Sequence, residues 1–358
     1  MKRVLLAALL TSSGAEAAEP TLTPLVGFKI SAGAADQSDD DGAVEADLDL
    51  GFDWRPADNL QLVGNFEMRD RISDEGFSDL NNDLSALTGV ADGVAGGPIQ
   101  RLEKLWLRLS FSDASQLTLG RLHFEDHLGD NALSSKSATA FANDAFSGKP
   151  AIAFPRDAFG VVFQTELTEG WRAVFVIGDA DRQSELDVFA NEAVFVAAEL
   201  QHERRQFGSP AHYRLALWGR SDADHALGEM GGFALSFDQG LGNGATFMLR
   251  YHEASDGVRA AQRGAGVALG VNGALWGREH DQAGTGLVWL EPNDPTRGTQ
   301  TVSEVFYRWQ FHRDIALTPS LQLITEDDSA GTEVVSLNVV YEPALVAVSP
   351  AGWAGRHA

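Results

Sequence analysis

Lys104, Trp106 and Arg108 stand two residues apart, and Arg121 and His123 repeat that spacing. Arg214 with Trp218, Arg250 alone, and Glu304 with Arg308 carry the same residue types further along. An extended chain sends successive side chains to opposite faces, so each even-spaced set shares one face. The chemistry such a face offers is recognition of hydroxyl-rich solutes. A guanidinium fork donates to neutral hydroxyls, a carboxylate accepts from them, and an indole stacks on the apolar side of a saturated ring. A pore built for anions alone would instead need an uncompensated basic ring, which the sequence does not show. The same arginines and carboxylates could also pair across neighbouring strands and only hold water between them, and the residues alone leave both readings open.

The elements that must position these side chains are strands with one greasy face. In residues 44–55, Val44, Ala46, Leu48, Leu50, Phe52 and Trp54 alternate with Glu45, Asp47, Asp49, Gly51, Asp53 and Arg55. Leu105, Leu107, Leu109 and Phe111 back Lys104, Trp106 and Arg108, and Tyr213, Leu215 and Leu217 back Arg214 and Trp218. Two-residue periodicity recurs along the chain while helical periodicity is scarce. It predicts about sixteen strands, in sequence order 24–31, 43–55, 59–70, 100–112, 116–124, 157–167, 170–181, 193–204, 210–220, 230–238, 244–255, 265–276, 281–290, 301–312, 316–326 and 331–342. From the second strand onward short links alternate with longer ones, notably 71–99 and 125–156. That phase is expected of an all-β transmembrane antiparallel up-and-down barrel with short periplasmic turns and long external loops. The greasy face would then meet lipid and the charged face water.

The link 125–156 is too long for an idle connection in a compact fold. It contains Glu125, Asp126, Asp130, Lys136 and Asp144, with Phe141 and Phe146 as anchors. Folded inward it would be a constriction loop; folded outward it would be a surface flap.

Composition narrows the alternatives. The N-terminus reads as an export signal over residues 1–17, with Lys2 and Arg3, an apolar run, and a small-x-small site at Ala15, Glu16 and Ala17. No later window is apolar enough for a helical span. The 358 residues contain no cysteine, so disulfides and thiolate chemistry are excluded, and stability must come from packing or a closed sheet. The net charge of −24 disfavours nucleic acid as a partner. No nucleophile elbow, zinc helix or phosphate loop is present, so no catalytic residue, metal ligand or cofactor is assigned. The acidic run at 36–42 lacks the full calcium-loop pattern and is better read as a solvated loop. Paired carboxylates abound, so a secreted soluble all-β enzyme acting on polysaccharide stays open, as does a closed structural or adhesive barrel.

The run EVFYRWQF at 304–311, followed after a turn by IALTPSLQ at 315–322, resembles the closing hairpin of the carbohydrate-selective porin family. Weaker echoes lie at Leu119, Gly120 and Arg121 before the long loop, and at 158–161 followed by Trp171. The resemblance implies a sixteen-stranded barrel over 18–342 in the outer membrane of a Gram-negative bacterium, passing sugars by passive diffusion. Its surroundings would be outer-membrane lipid and lipopolysaccharide, with monomer and homo-oligomer both open. Such barrels usually end on an aromatic residue; here Tyr341 would fill that place, leaving 343–358 as a tail. Lys104, Trp106, Arg108, Arg121, His123, Arg214, Trp218, Arg250, Glu304 and Arg308 are the expected pore-lining residues.

Overall fold

The computed structural model describes residues 20–343 except 37, 39–41, 92–97, 130, 134–139, 148–149, 156, 181–192, 222–226, 228, 256–260 and 328–330. The export-signal segment 1–17, the tail from 344 onward, Asp130 and Lys136 therefore lie outside the described residues.

Among the described residues sixteen strands follow one another antiparallel and close into a barrel. They are β1 (Thr21–Ala35), β2 (Ala43–Ala57), β3 (Leu60–Arg71), β4 (Ile99–Ser112), β5 (Ser115–Leu122), β6 (Ala158–Thr168), β7 (Trp171–Asp179) and β8 (Val194–Gln206). The second half is β9 (Ser209–Arg220), β10 (Met230–Gly242), β11 (Ala245–Ala254), β12 (Ala261–Asn272), β13 (Gln282–Pro292), β14 (Gln300–His312), β15 (Ile315–Glu326) and β16 (Thr332–Tyr341). Closure joins β1 to β16, with Phe28 opposite Tyr341 and Ala35 opposite Val334. A closed sheet leaves no unpaired edge, the condition for crossing hydrocarbon as strands.

The expected alternation of link lengths is observed except between β12 and β13, where the link expected to be short runs over residues 273–281. Two residues join β2 to β3, β4 to β5, β6 to β7, β8 to β9, β10 to β11 and β14 to β15. Asn243 and Gly244, like Phe207 and Gly208, both take positive φ, the hairpin geometry whose twist matches flanking strands. Several boundaries shift from expectation: β1 runs on to Ala35, β10 to Gly242, and β12 starts already at Ala261. The strand expected at 265–276 stops at Asn272, whose side chain accepts the Ala274 N–H at 3.2 Å and starts a 3-10 turn over Gly273–Trp276.

The outer wall is apolar: Leu50, Leu105, Phe175, Leu217, Leu249, Val305, Leu321 and Val335 are exposed on it. The inner wall is not uniformly wet. Two long links fold into the barrel, one over residues 72–98 with the helix α1 (Phe77–Asp83), the other over residues 123–157. Phe77, Leu80, Phe141 and Phe146 bury against Met248, Val288, Val302, Phe306 and Val334 of the wall. Leu122, Phe124, Leu128 and Ile152 bury against Val162, Val174, Val176 and Phe195. The expectation of an inner face given wholly to water is corrected accordingly: where a loop lies on the wall, the wall is apolar on both faces.

Glycines make room for these rings. Gly160 and Gly178 pair across β6 and β7, and a Cβ on either would collide with the Phe124 ring, at 2.7 Å from Cζ in the case of Gly160. Gly178→Leu should therefore eject Phe124 while leaving strand pairing intact. Losing the burial of one phenylalanine is worth about 2 kcal/mol, roughly thirtyfold more frequent opening of the loop. Limited proteolysis within 125–156 should accelerate by that order, with the folded barrel still migrating faster unheated than heated on a detergent gel. An unchanged cleavage rate would sink this account of the wall.

Candidate functional site: a charge-laddered slot beside an inward loop

The loop over 123–157 is held to the wall by side chains that face inward. Glu304 accepts the Ala142 N–H at 2.7 Å and the Asn143 N–H at 3.0 Å. Arg250 donates to the Phe146 carbonyl at 2.6 Å, and the Trp218 indole N–H to the Ala151 carbonyl at 3.0 Å. Glu199, which the sequence did not single out, accepts the Gly129 N–H at 2.9 Å. Phe141 and Phe146 stack at 4.0 Å between centroids, and Phe306 meets Phe141 edge-on at 4.9 Å. Asn143 ties this loop to the other one: its side-chain oxygen accepts from Thr88 at 2.9 Å, and its amide donates to Gln322 at 2.9 Å. The Asp144 N–H donates to the Gly89 carbonyl at 2.8 Å.

Three of the expected lining residues are thus anchors. Glu304 is 1% exposed, so its carboxylate is spent on the loop and is closed to a solute. Trp218 is buried likewise, and Arg250 has one guanidinium nitrogen committed to the loop backbone.

The opposite wall carries open polar groups. A β-bulge in β4 pairs Asn65 with Lys104 but Phe66 with Leu102, leaving Glu103 as the extra residue. Glu103 and Lys104 therefore both reach inward: Asn65 donates to Glu103 at 2.6 Å, and Lys104 meets Asp126 at 2.8 Å. From here opposite charges run along the wall in sequence. Lys29 pairs with Asp47 at 3.0 Å, Asp47 with Arg69 at 2.9 Å, Arg69 with Glu67 at 2.7 Å and Glu67 with Arg101 at 2.6 Å. Arg101 meets Asp157 at 3.0 Å, Asp157 meets His123 at 2.7 Å, and His123 meets Glu125 at 3.5 Å.

Two histidines a turn apart are driven in opposite directions. Burial works against the His123 imidazolium, but hydrogen bonds to Asp157 and Glu125 and the charge of Asp126 outweigh it and push the pKa up to about 10. Burial and the nearby Arg108, Lys104 and His123 charges pull His127 down to about 4, against the opposing charge of Asp126. Asp157 loses solvation by burial, yet its hydrogen bond from His123 and the charges around it hold the carboxyl below its ordinary range. Glu103, His123 and Asp157 present ligand atoms within 4.8 Å of one another, the spacing of a metal triad. The imidazolium, Arg101 and Lys104 already pair with those carboxylates, so the group reads as an ion-pair knot.

Beside the ladder, the Arg108 guanidinium lies 4.8 Å over the Trp106 ring and gives only its Nε–H to Thr118, at 3.1 Å. It makes no ion pair among the described residues, and the charges of Asp53 and Asp126 act on it from a distance. The Asp126 side chain is 39% exposed while that of Asp157 is 2%, so this end of the ladder faces water. Lys104, Trp106, Arg108, His123, Glu125 and Asp126 thus come together around one slot.

The remaining expected residues stand elsewhere. Arg214 shares Asp238 with His212, the latter at 2.6 Å. Arg308 pairs across from Gln282, and its Nε is buried without a hydrogen-bond partner. Asp144 opens the 3-10 turn Asp144–Phe146 at the meeting of the two loops. Arg121 needs a correction. It pairs with Leu105 and Phe159, both exposed on the outer wall, so alternation does not place it inside. Thr118 and Leu122 keep the inner face on either side of it, although the Arg121 charge still acts on Asp157.

The family described as "Carbohydrate-selective porin, OprB family" matches residues 221–330, which contain the 304–322 hairpin and bear out the resemblance carried there. No curated protein matches the chain in sequence. The high-pH structure of Pseudomonas putida OprB is similar at a TM-score of 0.74 and 14% identity, covering 91% of this chain and 94% of that one. The low-pH structure of the same protein gives 0.59 and 14%, covering 90% and 93%. Pseudomonas aeruginosa OpdK with vanillate gives 0.54 and 13%, covering 90% and 98%. At these identities the likeness is one of fold.

The histidine pair provides a direct check of the slot. A pKa raised above the ordinary imidazole value of 6.5 stabilises the docked loop fully below about pH 6.5 and withdraws that stability as pH climbs through about 10. Nitrogen-15 spectra of histidine-labelled protein in micelles, assigned with His123→Gln and His127→Gln, should show His123 charged at neutral pH. His127 should stay neutral until the pH falls to about 4. A His123 that titrates near 6.5 would mean the ladder is not formed.

Proposed function

We propose that this barrel is an outer-membrane porin of a Gram-negative bacterium that passes small hydrophilic solutes, carbohydrates foremost, by passive diffusion. The observation that carries the reading is the loop over 123–157, folded inside a closed sixteen-stranded barrel and fastened to its wall by Glu304, Arg250 and Trp218. A loop so placed narrows the lumen without closing the sheet, and leaves the slot at Arg108 as the contact surface. The slot's chemistry suits neutral hydroxyls. Arg108 supplies donors over the Trp106 face, and Asp126 across from it accepts. The matched family supports the solute class. On this reading the chain is a channel rather than a catalyst, residues 1–17 are its export signal, and 343–358 are a periplasmic tail. Phospholipid and lipopolysaccharide are its lipid surroundings.

Purified, heat-modifiable protein in planar bilayers should give stepwise conductance, and liposomes carrying it should swell in monosaccharides faster than in disaccharides. Arg108→Ala removes charged donors worth about 1.5–3 kcal/mol when bound to a solute. Block of ion current by sugar should therefore weaken by at least about tenfold in that variant. A correctly folded sample with no steps would overturn the porin reading in favour of a closed barrel. Unchanged sugar block in Arg108→Ala would move the contact surface elsewhere.

A further inference from the structure

The outer wall of β7–β11 carries a groove of about 780 Å³ with a floor of Leu200, Leu215, Leu235 and Leu249. An aromatic ridge bounds it on the side of the two-residue turns. Trp171 stacks on His202 at 4.2 Å, His202 faces Tyr213 at 6.1 Å, and Tyr213 meets Phe237 at 4.9 Å, crossing four strands at one level. Phe233 and Tyr251, at 5.8 Å, stand on the other side of the leucine floor.

Arg204 lies one step beyond this ridge, near the end of β8. It shares the outward face with Leu200 and His202, whereas its neighbour Glu203 reaches inward to His212 at 3.9 Å. The Arg204 side chain is exposed, lies 6.0 Å from the Tyr213 ring centroid, and has no ion-pair partner among the described residues. An arginine at an aromatic belt extends its charge to headgroup level while its stem stays on apolar surface.

We propose that this groove is a phospholipid site in the periplasmic leaflet, with an acyl chain on the leucine floor and an anionic headgroup phosphate on Arg204. The occupant follows from the chemistry. The floor is apolar, and the cation at its mouth forms no ion pair among the described residues. On the porin reading, which this inference rests on, the short turns face the periplasm, so the leaflet at Arg204 is the phospholipid one. One arginine near a membrane surface favours an anionic lipid by about 1 kcal/mol, a fivefold preference.

Trp171 is the reporter. The full-length protein is folded into phosphatidylcholine vesicles containing a minor fraction of bromine-labelled phosphatidylglycerol or bromine-labelled phosphatidylcholine. The Trp171 signal is the difference between the unsubstituted protein and Trp171→Phe. Quenching should show about fivefold tighter association of the phosphatidylglycerol probe. Arg204→Gln should reduce the preference to parity, with heat-modifiable migration and conductance steps unchanged. Equal quenching by both probes in the unsubstituted protein would overturn the proposal. So would a preference that survives Arg204→Gln, or crosslinks showing a second copy of the chain seated on this face. Loss of conductance steps with the lipid preference intact would overturn the porin reading and leave the lipid site standing.

Discussion

A sheet in hydrocarbon cannot keep a free edge, because each unpaired N–H and C=O there has no water to turn to. The pairing of β1 with β16 is therefore the contact on which the rest depends. Once the sheet closes, every strand residue belongs to one of two environments, and the two-residue period assigns it. Leu48 and Leu50 must face lipid, so Asp47 and Asp49 must face inward. The charged ladder is a consequence of closure as much as a feature of function. Ten carboxylates, arginines and lysines brought face to face across a confined interior either pair or repel, and β1 to β4 are in register for pairing.

The second constraint comes from the barrel's width. Sixteen strands enclose more space than wall side chains fill. Here two links enter that space, and each needs an apolar seat. The seats are local: valines and a phenylalanine on β6 to β8 under Phe124 and Ile152, and a second set on β11 to β16 under Phe141 and Phe146. Backbone amides of the loop then need acceptors where water is excluded, and Glu304 and Glu199 provide them from the wall. A buried carboxylate holding two amides is a positional device. Its cost in desolvation is recovered only when the loop sits in one place.

Strands and faces were legible in the sequence because lipid enforces alternation locally, residue by residue. The faces of β2, β4, β9, β11 and β14 follow from reading every second residue. The loop's position was not legible from the loop itself, which has no period. Its signal lay in the wall. Residues 158–163 and 173–177 are apolar on both faces, and Gly160 and Gly178 sit side by side on the inner one, which a strand facing water on one side does not require. Glu304 looked like a solvent-facing acid for the same reason: alternation states direction, while burial depends on what a distant segment places on top. Arg121 failed for a third reason. Its grouping with His123 counts across the end of β5 at Leu122, whereas within β5 it shares the outward face of Leu117 and Leu119.

The net charge of −24 invites the inference of a strongly cation-selective lumen, but the ladder argues otherwise. It joins five cations (Lys29, Arg69, Arg101, Lys104 and His123) to six anions (Asp47, Glu67, Glu103, Glu125, Asp126 and Asp157). Asp49 and Asp53 share this wall, the former bonded to Asn65 and the latter paired with Arg55, while more distant carboxylates are screened beyond about 8 Å. What a passing solute meets is therefore a nearly neutral wall with donors and acceptors fixed in place. Arg108 is the exception, a cation without a bonded carboxylate, spread over an indole that shields one face. A neutral polyol can take its hydrogen bonds with little desolvation of its own. A cation must shed part of its hydration shell to enter the slot and finds carboxylates there already paired, as Asp126 is with Lys104 at 2.8 Å. On the proposed reading, discrimination rests on hydrogen-bond geometry at Trp106, Arg108 and Asp126, and the chain's acidity is left to its outer loops.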